Sequence, residues 1–131
     1  HRYFVNGHKS RAKGHLAESE EMFRKAYETL VPGDADHAKG SLANEYGLAL
    51  LKNNRPEKSI PILREALAAN TRANDQVGIA VSHLNLGDAL SRTGDRGAAE
   101  QEWGEARLAG QNSNNQYLVK AVQQRLSGEY N

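Results

Sequence analysis

Three glycines, Gly7, Gly47 and Gly87, fall on one another when the chain is shifted by 40 residues against itself, and they do not fall alone. Ser19, Ser59 and Ala99 coincide at the same shift, as do Phe23, Leu63 and Trp103, and Ala26, Ala66 and Ala106. Gly14, Asn54 and Gly94 form a fifth column. Small and bulky positions in register across three copies mark a repeat protein, whose units stack on their neighbours to bury a shared core.

Each copy reads as two apolar-periodic runs around a short break, which is helix, turn, helix. The pattern places helices near 2–13, 16–30, 36–52, 56–69, 75–92, 96–109 and 115–128. In "NRPE" (54–57), Asn54 reads as a cap ahead of an early proline, with Glu57 three residues on. Gly94-Asp95 offers a turn followed by a cap. Val31–Asp34 and Asn70–Asn74 read as connections between copies. Pro61 lies within a helical run and should bend it or loosen its first turns. The two small columns are 12 residues apart in every copy, so Gly87 is expected to face Ala99 where paired helices cross. The bulky column would then fill the space one turn further on. Ser10 stands where the later copies have Leu50 and Leu90, so the first pair should pack more loosely.

These columns resemble the tetratricopeptide repeat, in its longer 40-residue variety found in kinesin light chain, polarity adaptors and bacterial regulatory proteins. The third copy carries the likeness in Leu86-Gly87, Leu90, Gly94, Ala99, Trp103 and Ala106, and the second in Gly47, Leu50, Ser59, Leu63, Ala66 and Leu67. The first carries it in Gly7, Gly14, Ser19, Phe23, Ala26 and Tyr27. The resemblance implies an all-α, right-handed superhelical solenoid of antiparallel helix pairs. One domain would span 1–131, with repeats at about 1–34, 35–74 and 75–114 and a terminal helix at 115–129. It also implies a scaffold for protein–protein interaction. Because the chain opens on histidine, it reads as a piece of a longer protein.

Composition narrows the function. Lys plus Arg is 17 and Asp plus Glu 16, a net charge of +1, which argues against a direct nucleic-acid or membrane-surface partner. The absence of cysteine removes disulfides and thiolate chemistry and fits a reducing, cytoplasmic setting. The five histidines are scattered, and neither a metalloprotease helix nor a phosphate-cradling loop occurs. The chain is therefore read as no enzyme, with no cofactor and no metal.

What remains is the surface. With the glycine column buried, the concave wall of the array would carry Ser41, Asn44, Glu45, Leu48 and Lys52, then Val81, Leu84, Asn85, Asp88 and Arg92. His1, Phe4, Val5, His8 and Arg11 would extend it at one end, and Gln124 and Arg125 at the other. Seven of these, Asn44, Glu45, Leu48, Lys52, Asn85, Asp88 and Arg92, form the candidate site for a protein or peptide ligand. Their amides and mixed charges match the unpaired backbone groups of an extended segment. Asn85 is central, since an asparagine can pair with the N–H and C=O of one ligand residue whatever its side chain. It stands where the long-repeat relatives use asparagine to hold a ligand's main chain, although Val5, Glu45 and Arg125 replace it in the other copies. The alternative is a self-assembly element joined through its terminal or edge helices, against the expectation of a mainly monomeric chain with weak self-association.

Overall fold

A computed structural model describes residues 2–128, so His1 and the predicted helix end at 129 lie outside the described residues. Seven helices follow one another: α1 (Arg2–Ala12), α2 (Leu16–Glu28), α3 (Asp36–Lys52), α4 (Pro56–Arg72), α5 (Gln76–Arg92), α6 (Arg96–Asn112) and α7 (Gln116–Leu126). No strand occurs among the described residues.

The repeat is written into the turns. Gly14, Asn54 and Gly94 take positive φ values of 78°, 60° and 96°, and Asn74 and Asn114 take 53° and 54° between copies. These are residues that tolerate the left-handed region, placed where a three-residue turn demands it. Asn54 is thus a turn residue and not the cap expected of it. Arg55 occupies the cap position without a side-chain bond, and Pro56 begins the helix. Asp75, Asp95 and Asn115 do cap α5, α6 and α7, accepting from the N–H of Gly78, Ala98 and Leu118. The first inter-copy connection is longer, residues 29–35, with Gly33 at φ 102°.

α2 and α7 stop two residues short of expectation, at Glu28 and Leu126, and two other helices run past it. Asn70 and Gly110 look like turn formers, yet α4 runs to Arg72 and α6 to Asn112, and both residues are buried. Tertiary packing overrides their local preference. Pro61 sits inside α4, which continues through it; its side is exposed, so water can reach the Glu57 carbonyl that has lost its partner.

Each helix packs on the next, and α3 also packs on α5 and α5 on α7. Gly40 lies against Asn70 and Gly47 against Leu63, so α3 and α4 run antiparallel. Asn44 bonds Ser82, and Arg92 bonds the Leu51 carbonyl, so α3 and α5 run parallel. α3 buries nine residues and α5 eight, against two each for α1 and α7, which makes α3 and α5 the central helices.

The glycine column has a clear partner. A Cβ added at Gly7 would approach the Phe23 ring to 2.8 Å, and one at Gly47 or Gly87 would overlap Leu63 or Trp103. The bulky column therefore sits directly on the glycines, not one turn beyond them, and Gly87 is covered by Trp103 and not by Ala99 alone. The small-to-small approach is visible in the first copy, where the Ser19 hydroxyl donates to the Gly7 carbonyl at 3.0 Å. Phe23, Leu63 and Trp103 are all fully buried and anchor three apolar clusters.

Candidate functional site

The predicted site residues all lie on α3 and α5, whose parallel packing brings them to one face. Most of their polar groups hold helices together. Asn70 Nδ2 donates to Ser82 Oγ at 3.2 Å, Ser82 donates to Asn44 Oδ1 at 2.8 Å, and Asn44 Nδ2 donates to the Gly78 carbonyl at 3.3 Å. The hydroxyl has one proton, and this order gives every donor in the chain an acceptor. Asn44 is 5% exposed and belongs to this buried relay. Glu45 Oε2 takes the His8 ring at 2.8 Å and Arg11 at 3.0 Å, which ties α1 to α3.

Asp88 is also buried. Its carboxylate accepts Trp103 Nε1 at 3.1 Å and both Nε and a terminal nitrogen of Arg125 at 3.0 Å, so it fastens α6 and α7 to α5. Arg92 donates to the Leu51 carbonyl at 2.7 Å. Leu48 is half-buried and Lys52 exposed. Among the wall's outer members, Phe4 sets its ring edge-on to His8 and Phe23, Val5 is exposed, and Gln124 is exposed.

Asn85 differs from all of these. It is 5% exposed, its Nδ2 is buried without an acceptor, and its amide makes no hydrogen bond among the described residues. A buried amide normally finds a partner, and leaving one unmet costs roughly 1–3 kcal/mol. The residue is held rigidly in the middle of α5, between Leu84 and Leu86, both buried.

A second polar feature escaped the sequence reading. At the N-terminal ends of α3 and α5 lies a cavity of about 220 Å³, lined by Ser41, Asn44, Glu45, Asn70, Asp75 and Val77, with His37, Gly78 and Val81 beside them. Asn70, 1% exposed, forms its floor between Gly40 and Gly78, either of which would clash with it if it carried a Cβ. The signal was present: Gly40 and Gly78 lie outside the repeating glycine column, and their counterparts at the 40-residue shift are Ala80 and Ala38.

Among the described residues no group of three or more His, Asp or Glu side chains could hold a metal ion, and no helix is long and apolar enough to cross a membrane. No model of a known protein family matches the chain, and no curated protein matches it either.

Proposed function

We propose that this chain is a tetratricopeptide-like module, a right-handed solenoid of helix pairs, that binds an extended peptide segment along the α3–α5 face and performs no catalysis. The observation that carries the reading is Asn85. A structure that satisfies Asn44, Ser82, Asp88 and Arg92 through its own helices leaves one buried amide unmet in the middle of the same face. A ligand main chain supplies the missing carbonyl to Nδ2 and donates its N–H to Oδ1 in return. Leu48 offers apolar contact beside it, and Lys52 and Arg92, in the last turns of their helices, carry the positive charge that would pair with an acidic ligand residue.

On this reading the module acts as a monomer in the cytoplasm, within a larger regulatory or scaffold protein. One net hydrogen bond contributes about 0.5–1.5 kcal/mol, so the affinity belongs in the micromolar range and rests on several contacts together. The test is selection of binders from a random-peptide display library, followed by titration against Asn85→Leu, Lys52→Ala and the exposed α6 control Glu105→Ala. Loss of binding in the first two and not in the control supports the reading. Equal loss in all three, or no selected binder, overturns it.

A further inference from the structure

We infer that the cavity at the N-terminal ends of α3 and α5 is an anchor pocket for a basic side chain, a lysine or arginine of the bound segment; the inference rests on the peptide-binding reading and specifies its partner. The pocket is rich in acceptors and poor in donors. Asn70, 1% exposed, sets its Oδ1 against Gly40 and Gly78, where it accepts no hydrogen bond among the described residues; its Nδ2 is engaged with Ser82. Glu45 Oε1 has no partner among the described residues, since Arg11 and His8 both take Oε2. Ser41 lines the same space, and its hydroxyl has no hydrogen bond among the described residues.

Two carboxylates, Glu45 and Asp75, set the sign of the charge that this space prefers. Arg11 offsets part of the first, and His37 Nδ1 lies 3.0 Å from Asp75 Oδ2. The positive end of α5, which would repel a cation, is already met by Asp75 Oδ1, which accepts the Gly78 N–H at 2.9 Å. Val77 and Val81 add an apolar wall along which the methylene stem of a long basic side chain can lie. About 220 Å³ is below the size of a drug-binding site and suits a single side chain.

The floor is not a requirement of the repeat. The positions equivalent to Asn70 hold Leu30 and Gly110, and at Gly110 the space is taken by Leu118 and Val119. Only the middle copy buries an asparagine there, with Gly40 and Gly78 cleared around it. Geometry also sets a spacing within the ligand. Glu45 and Lys52 are seven residues apart on α3, about 10 Å at 1.5 Å per residue, which an extended peptide covers in about three residues. A basic ligand residue in the pocket therefore precedes or follows an acidic one by about three positions.

The probe is the capped tripeptide acetyl-Gly-Lys-Gly-amide, with its arginine counterpart, against the uncharged norleucine and citrulline versions. Titration is followed by nitrogen–proton NMR of the Asn70 side-chain amide and the Gly78 backbone. Both basic peptides should shift these signals with a Kd on the order of 1 mM, and loss of the charge should weaken binding by about tenfold. Asn70→Leu, which places the first copy's residue there, should abolish the shifts. Glu45→Gln, which keeps an acceptor for Arg11, should weaken binding and serves if Asn70→Leu fails to fold. Equal response to charged and uncharged peptides, shifts confined to other surfaces, no response to the substitutions, or no shift at all because the cavity holds only water would each overturn the pocket. If the display library yields extended binders lacking basic residues while the tripeptides stay silent, the pocket fails and the groove stands. Tripeptide binding without any selected extended peptide gives the reverse.

Discussion

Gly87 and Gly104 are both helical glycines, and they should answer the same substitution with opposite signs. A methyl at Gly87 overlaps the Trp103 indole, which is fully buried and has no room to turn, so Gly87→Ala should destabilise the fold by about 1–3 kcal/mol. Sequence periodicity alone placed Gly87 against Ala99; it gave the spacing of the columns but not which side chain leans over which glycine. At Gly104 a Cβ meets nothing within 4 Å, so Gly104→Ala should gain up to about 1 kcal/mol from helix propensity. Chemical denaturation of the two variants reads both; a gain at Gly87 would contradict the packing described. Tyr46 gives a prediction in pH. Burial pushes its phenol above the ordinary tyrosine range, and the nearby Glu20 charge adds to this. The neutral form is the one the fold favours, so its stabilising contribution is complete below about pH 10 and is lost as pH rises through the raised value. Absorbance titration of the five tyrosines should show one ionising late, and a single uniform transition at the ordinary value would contradict it.

The helices were legible where a repeating column marked them, and less so where one residue departed from it. α3 and α5 begin and end within a residue of expectation, and three-residue turns with a left-handed Gly or Asn close both and open α5. α4 and α6 run three residues further than expected, because Asn70 and Gly110 are turn formers locally but core residues in the fold. Asn54 misled for a related reason: asparagine serves both as a cap and as a left-handed turn residue, and only the register with Gly14 and Gly94 decides. On the site, the sequence placed Asn44, Glu45, Asn85 and Asp88 on one face. It had no means of telling that three of them hold neighbouring helices and one does not, because those partners come from α1, α5, α6 and α7. The docking of α7 tests this at the scale of an element. Arg125 alone bonds both oxygens of the buried Asp88 carboxylate. Arg125→Ala leaves that charge with Trp103 Nε1 as its remaining described contact, at a cost of roughly 3–5 kcal/mol. Amide exchange in α7 should accelerate while α3 and α4 keep their protection; uniform acceleration along the chain, or none, would contradict the local role.

At the scale of the whole molecule, helices packed in order on their neighbours give one face where α3 and α5 lie side by side, with acidic groups toward the N-terminal ends and Lys52 and Arg92 toward the other. On the proposed peptide-binding reading, a balanced net charge of +1 leaves this local pattern, and not a long-range field, to select a partner. The account turns on Asn85, whose unmet amide costs stability that a ligand would recover. Asn85→Leu keeps the volume and removes the amide, so the free variant should be about 1 kcal/mol more stable than the parent protein while binding suffers. The most direct measurement is calorimetric titration of one library-selected peptide against the parent protein and Asn85→Leu, with the thermal midpoint of each free protein recorded in the same buffer. The account predicts a Kd raised by about tenfold together with an unchanged or higher midpoint. An unchanged Kd, or a midpoint that falls along with the affinity, would show that Asn85 serves the fold and that the peptide is held elsewhere.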